Sequence, residues 1–198
     1  MPRLAALILA AGGSTRMGQP KQVLPYDDQP LVRRTAQTAL AVACDPVTIV
    51  LGAHAGEVSI AMREVPVELV TNADWARGIG SSIRTGVAHL ATRPIDALIL
   101  LLCDQPLVTP ATLQRLIDAH VATGKPVCVS AYSDTLGPPV LVHASLFAAL
   151  SELPDDRGAK SLWSAHPGRV AHVPNPEAAT DLDTPADYAQ IVARATSP

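Results

Sequence analysis

The apolar run from Leu4 to Ala11 stops at Gly12-Gly13, and this junction constrains the fold more than any other part of the chain. The segment reads Leu9-Ala-Ala-Gly-Gly-Ser-Thr-Arg-Met-Gly-Gln-Pro-Lys21. A buried strand that leaves through a glycine turn is how an open parallel sheet offers bare backbone N–H groups to an anion at its carboxyl edge. Arg16 and Lys21, at the far end of the turn, add the charge that amides lack. The alternative is a glycine turn flanked by two solvated cations. Two familiar phosphate loops are excluded. Gly18-Gln19-Pro20-Lys21 lacks the Gly-Lys-Ser/Thr ending of a Walker A loop, and glycines at 12, 13 and 18 miss the Gly-x-Gly-x-x-Gly spacing of a dinucleotide fold. Pro20 blocks an immediate helix, so the spacing predicts irregular chain to about Pro30.

Beyond this turn, strand-like and helix-like segments alternate, the pattern of a βαβ sheet. Strands are predicted at Leu4–Ala10, Pro46–Leu51, Val67–Val70, Ala97–Leu102, Val127–Ala131, Pro139–Val142 and Arg169–Val173, the sixth as an antiparallel candidate. Helices are predicted at Leu31–Ala43, Glu57–Glu64, Ile79–Ala91 and Pro110–Ala122, near Ser145–Leu150 and Gly158–Ala165, and from Thr184-Pro185 onward. Ala97–Leu102, Ala-Leu-Ile-Leu-Leu-Leu, has the composition of a central strand covered on both faces. The expected fold is a single doubly wound, mostly parallel α/β domain over residues 1–198, Rossmann-like, with helices on both faces. Its length supports an ordinary core.

Several classes drop out. No apolar stretch approaches the roughly 20 residues of a membrane span. A formal charge of −3 and 3% aromatic residues argue against a nucleic-acid surface. Cys44, Cys103 and Cys128 are far apart in sequence and the run after Leu4 lacks a cleavage pattern, so a reduced cytoplasm is expected. The six histidines show no zinc spacing, and there is no Gly-x-Ser-x-Gly elbow. Cys103 reads as a small buried residue rather than a nucleophile, with no histidine in an evident pairing position.

Two aspartates stand out because the adjacent helices do not need them. Asp104 follows the buried strand in Cys-Asp-Gln-Pro, yet Thr109 before Pro110 already fills the cap. Asp183 lies in Asp-Leu-Asp-Thr-Pro-Ala-Asp, where Thr184 and Asp187 form the capping pair. Two spare carboxylates with an anion loop point to Mg²⁺, which favours one or two carboxylates together with water and phosphate oxygens. The bland alternative is a pair of solvated loop aspartates.

The opening segment resembles the signature of nucleotidyltransferases with the molybdenum-cofactor-guanylyltransferase-like fold, and in particular the molybdenum cofactor cytidylyltransferases. The resemblance continues through Gln22-Val-Leu-Pro-Tyr26, Pro30-Leu31, Asn72-Ala-Asp-Trp-Ala-Arg-Gly-Ile-Gly-Ser-Ser-Ile83, Cys103-Asp-Gln-Pro-Leu107, Asp156-Arg-Gly-Ala-Lys160 and Asp181-Leu-Asp-Thr-Pro-Ala-Asp-Tyr188. It implies transfer of NMP from an NTP to a phosphate on a small acceptor, with release of pyrophosphate. Nucleotide binding would fall to Leu9, Ala10, Ala11, Gly12, Gly13, Ser14, Arg16, Lys21, Asn72, Ser82 and Asp104. Arg16, Lys21 and Asp104 would be catalytic, and Asp104 and Asp183 would hold Mg²⁺. Ser82 has the alternative of a helix-terminal serine, Asn72 that of closing a turn, and Trp75 reads as packing. A nucleotide half (about 1–105) and an acceptor half (about 106–198) follow.

Ala11 in Leu-Ala-Ala-Gly favours CTP over GTP, since guanylyl members carry glycine there. The implied acceptor is molybdopterin, with transient contact to a molybdoenzyme or its chaperone. A sugar or polyol phosphate acceptor, GTP as donor, and a non-catalytic nucleotide-binding chaperone are the competing readings. The segment Ser133–Lys160 is expected to form most of the acceptor pocket. One departure falls there: Gly137-Pro138-Pro139 replaces a frequent Gly-His-Pro, and Pro138 supplies neither the imidazole nor an N–H.

Overall fold

The computed structural model describes residues 2–164 and 167–195. The strands are β1 (Leu4–Ala10), β2 (Pro25–Tyr26), β3 (Gln29–Pro30), β4 (Val47–Leu51), β5 (Glu68–Thr71), β6 (Ala97–Leu102), β7 (Val127–Tyr132), β8 (Thr135–His143) and β9 (Val170–Pro174). The helices are α1 (Leu31–Ala41), α2 (Ala55–Ala61), α3 (Ile79–Leu90), α4 (Pro110–Thr123), α5 (Phe147–Ser151), α6 (Lys160–Ser164) and α7 (Pro185–Ala195). A seven-stranded sheet has the order β5-β4-β1-β6-β8-β7-β9. Only β8 runs against its neighbours.

Residues alternate across β1 because successive side chains point to opposite faces. Leu4, Ala6, Ile8 and Ala10 enter one buried layer with Val32 and Ala36 of α1, Val58 of α2 and Leu113 and Leu116 of α4. Ala5, Leu7 and Leu9 enter the other with Ile83, Val87 and Leu90 of α3, Leu150 of α5 and Trp163 of α6. Every residue of β1 is buried, as a strand covered by helices on both faces requires. This is the doubly wound, mostly parallel architecture that the alternation predicts.

Two expectations change. The chain after Pro20 is not featureless: Lys21–Val23 form a 3₁₀ turn, and β2 and β3 pair as a short antiparallel ribbon. Pro20 forbids a regular helix but not this tighter turn, which it precedes in extended conformation. The strand expected at Pro139–Val142 is longer, because β8 forms a hairpin with β7 through Ser133-Asp134, both at positive φ. Ala165 of the expected sixth helix lies outside the described residues. No described helix is long and apolar enough to cross a membrane.

A third, smaller apolar cluster positions the site. Met17, from the end of the glycine-rich turn, packs with Leu24, Tyr26, Leu31, Leu182 and Ile191. Leu182 is fully buried there, and its N–H donates to the Asp104 carbonyl at 2.9 Å. Residues far apart in sequence are thereby pinned beside one another at the carboxyl end of β6. Leu182→Ala is expected to destabilise the protein by about 2–5 kcal/mol through cavity formation. Urea unfolding checks this against Leu69→Ala, a half-exposed edge-strand leucine whose loss should cost far less. Equal costs would contradict the anchoring role.

Candidate active site

The turn after β1 has a directional polarity. The Ala10 and Gly12 carbonyls accept from Gln22 Nε2 at 3.1 and 2.7 Å, and the Ala11 carbonyl accepts from the Ala53 N–H at 3.1 Å. His54 Nε2 lies 3.2 Å from the Gly13 carbonyl, which fixes that nitrogen as the donor. The Ser14 carbonyl accepts from the N–H groups of Met17 and Gly18. Every carbonyl from Ala10 to Ser14 is thus engaged, whereas no described protein group accepts from the N–H of Gly12, Gly13 or Ser14. A turn whose acceptors are satisfied and whose donors are free is built for an anion. Gly52 permits the close approach: a Cβ there would lie 2.4 Å from the Ala11 carbonyl oxygen.

Asp104 leaves the end of β6 directly beside this turn. Lys21 Nζ is 2.5 Å from Asp104 Oδ2 and 3.2 Å from Asp183 Oδ1, so one ammonium joins both carboxylates. Arg16 reaches Asp183 Oδ2 at 2.9 Å. The lysine and Asp104 side chains are only 17% and 14% exposed. Burial alone would lower the Lys21 pKa, but the charge and hydrogen bond of Asp104, with a further bond to Asp183, raise it above its ordinary value. The ammonium therefore stays charged. Asp181, which the sequence reading passed over, keeps surface in solvent. Desolvation on its inner side and the charges of Asp104 and Asp183 nevertheless push it up to about 6.

Asp104 Oδ1 is buried without a hydrogen-bond partner. An orphan carboxylate oxygen of this kind is costly unless a cation meets it. No group of three or more His, Cys, Asp or Glu suited to a metal occurs among the described residues. Two carboxylates with an adjacent anion turn instead match a hard divalent cation that takes its other ligands from water and phosphate.

A cleft of about 380 Å³ opens between these elements, lined by Leu9, Ala11, Gly12, Gly13, Lys21, Ser82 and Asp104 among others. Arg16 and Asp183 pair with each other outside that lining. Ala10 and Ser14 also lie outside it, Ser14 Oγ being spent on the Lys21 N–H and Gln22 Oε1. Asn72 is hydrogen-bonded within the turn after β5. Its Nδ2 donates to Ser81 and Ser82 Oγ at 2.9 and 3.0 Å, its Oδ1 accepts from the Asp74 N–H, and it does not reach the cleft. Trp75 does more than pack, since it also walls the cleft opposite Gly13. Pro138 directs its carbonyl to Gln105 Nε2 and the Tyr132 hydroxyl. Gln22, His54 and Asp181 are the neighbours that sequence reasoning left without roles. Gln22 lay in plain view within the quoted block, but its hydrogen bonds depend on carbonyl directions that residue types do not reveal.

An anion-accepting turn and a cation-bridged carboxylate pair, at the carboxyl edge of a doubly wound sheet, define a protein built to hold a phosphorylated ligand. The chain belongs to the family of the MobA-like NTP transferase domain, which matches residues 6–170, and it is a nucleotidyltransferase by that membership. It is 33% identical over 195 residues to the nicotine blue oxidoreductase of Paenarthrobacter nicotinovorans, covering 93% of this chain and 94% of that protein. It is 29% identical to the purine catabolism protein PucB of Bacillus subtilis (strain 168), covering 99% and 98%. The crystal structure of a protein from Mycobacterium tuberculosis H37Rv superposes with a TM-score of 0.81 at 33% identity, covering 97% of this chain and 98% of that one. A manganese complex of the M. tuberculosis protein superposes with a TM-score of 0.76 at 31% identity, covering 96% and 98%.

The far wall of the cleft is held by an ion-pair clamp. Asp155 pairs with Arg77 at 2.7 Å and with Arg84, and Arg84 also donates to the Leu153 carbonyl. The loop so held lies against Gly78 and Gly80 at the start of α3; a Cβ on Gly80 would meet the Pro154 carbonyl oxygen at 1.9 Å. The hydrogen bond from Arg84, reinforced by Arg77, holds the Asp155 carboxyl below its ordinary range. A depressed carboxylate pKa contributes stability above the unfolded value, and that contribution is lost as pH falls through the folded value. Asp155→Asn should therefore lower the melting temperature at pH 7, with the difference from wild type shrinking as pH falls below about 4. A difference constant across that range, measured by calorimetry, would contradict the clamp.

Proposed function

We propose that the protein transfers CMP from CTP to the terminal phosphate of molybdopterin, releasing pyrophosphate with the help of Mg²⁺. The observation that carries this reading is Lys21, which joins the anion-accepting turn to both Asp104 and Asp183. In the reaction an acceptor phosphate oxygen forms a bond to the α-phosphorus while the bond to the pyrophosphate leaving group breaks. The nucleophile is already an anion, so no protein nucleophile is required. Cys103 suits none, since burial and the neighbouring Asp104 charge push its thiol up to about 12. The task for the chain is to bring two anions together and to stabilise the departing charge.

The N–H groups of Gly12, Gly13 and Ser14 orient the triphosphate, and Lys21 and Arg16 offset its charge. Asp104 and Asp183 would hold a divalent cation, which when bound neutralises phosphate oxygens; the manganese complex of the M. tuberculosis relative supports the use of a divalent cation. Ser82 and Trp75 flank the nucleoside side of the cleft. Residues to about 105 serve the nucleotide in this reading, and those beyond serve the acceptor. Ala11 supports CTP: it lines the cleft, and a methyl in place of hydrogen there changes how closely a base approaches the turn. A discrimination of about 1–3 kcal/mol is the most one methyl supplies.

The name of the P. nicotinovorans relative denotes a redox reaction, so substrate assignment rests on assay. Pyrophosphate release is measured with CTP, GTP, ATP and UTP and with molybdopterin or sugar phosphates as acceptors. CTP with molybdopterin should be preferred. Asp104→Asn should lose activity by about a hundredfold or more with its melting temperature retained. Near-wild-type release by that variant would contradict the assignment of Asp104. CTP binding without release from any acceptor would favour a nucleotide-binding chaperone.

A further inference from the structure

Gln22 is 1% exposed, and its carboxamide is fully used. Nε2 spends its hydrogens on the carbonyls of Ala10 and Gly12, which straddle Ala11. Oε1 accepts from Ser14 Oγ at 3.2 Å, and the same hydroxyl accepts from the Lys21 N–H at 3.1 Å. One side chain therefore ties the start, middle and far end of the turn together. The consequence is electrostatic as well as mechanical. A peptide group whose carbonyl is drawn inward turns the opposite end of its dipole outward. Drawing in the carbonyls of Ala10 and Gly12 thus faces the N–H groups of Ala11 and Gly13 away from Gln22, and both residues line the cleft.

Neither a glycine nor a lysine substitutes for this. Glycines permit the turn but leave it many conformations, and Lys21 supplies charge without direction. Gln22 also lies in the 3₁₀ turn with Lys21, and through Ser14 Oγ its carboxamide ties the Lys21 backbone to the turn. Its Oε1 faces only the neutral Ser14 hydroxyl, so the brace works without charge of its own.

We infer that Gln22 is the positioning residue of the anion turn: it fixes the outward N–H face on which a nucleoside triphosphate or pyrophosphate is held, without touching the ligand. The inference rests on the nucleotide-binding reading of the site. The test is calorimetric titration of the intact chain with CTP and, separately, with inorganic pyrophosphate. It compares wild type, Gln22→Met, which keeps length but removes both donors, and Ser14→Ala, which removes only the outer link.

Gln22→Met should raise the Kd for both ligands at least tenfold, equivalent to about 1.4 kcal/mol, at unchanged stoichiometry. Ser14→Ala should shift both in the same direction by a smaller factor. Stoichiometry separates this from a general folding defect, since a misfolded fraction lowers the number of sites and leaves Kd alone. A fall in stoichiometry at wild-type Kd, or an unchanged Kd in Gln22→Met, would overturn the inference. If Gln22→Met does not fold, Ser14→Ala decides by the same criterion. Wild-type protein that binds neither ligand would instead contradict the reading of the site on which the inference stands.

Discussion

Two carboxylates held beside one another repel, and the structure keeps Asp104 and Asp183 together by placing the Lys21 ammonium between them. The rest of the site depends on this arrangement. Lys21 belongs to the turn after β1, Asp104 to the end of the central strand β6, and Asp183 to the segment before α7, so one cation ties three distant segments together. The attraction is partly screened, since the three side chains retain between 14% and 36% of their surface. It does not act alone. The Leu182 N–H bonds to the Asp104 carbonyl, and Leu182 with Met17 and Ile191 buries apolar surface directly beneath the charges. Hydrophobic anchoring sets the spacing, and the lysine makes that spacing tolerable.

The frame was legible because its causes are local. Leu4–Ala10 and Ala97–Leu102 have the apolar runs of strands covered on both faces, and both begin and end where composition placed them. Thr109 caps α4 and Asp187 bonds back to Thr184 at the start of α7, as their spacing predicts; the structure adds Thr112 as the reciprocal partner of Thr109. With the caps filled by Thr109, Thr184 and Asp187, Asp104 and Asp183 have no capping task in the helices that follow them. The chain between Pro20 and Pro30 was not legible. A three-residue turn and two-residue strands are shorter than any periodicity can report, and their geometry comes from packing of Leu24 and Tyr26 on Leu182 and Ile191. Asn72 shows the same limit from another side. Its residue type suits either a ligand or a turn, and its hydrogen bonds to Ser81 and Ser82 depend on positions that sequence does not give.

The site is polarised in a way that composition does not convey. On one wall the turn presents donors, because Gln22, Ala53 and His54 hold its carbonyls. On the other, Asp104 lines the cleft and keeps one buried oxygen, Oδ1, without a hydrogen-bond partner. A donor-rich turn beside a carboxylate with an unpaired oxygen suits a ligand that carries both an anion and its counter-cation, a description that fits a metal–nucleotide better than either component alone. The same sheet in other proteins supports different chemistry, so it is these two walls, rather than the strand order, that bear on what the chain does.

If the turn and the carboxylate pair form one site, the nucleotide and the divalent cation bind to each other as well as to the protein. The most direct test is the coupling between the two ligands. Mn²⁺ affinity is measured by electron paramagnetic resonance with and without CTP in the wild-type protein and in Asp183→Asn. CTP should tighten wild-type Mn²⁺ binding to the protein by about tenfold or more, a coupling of about 1.4 kcal/mol, and the variant should lose most of that gain. Mn²⁺ and CTP binding independently, or a coupling of the same size in Asp183→Asn, would contradict a single shared site.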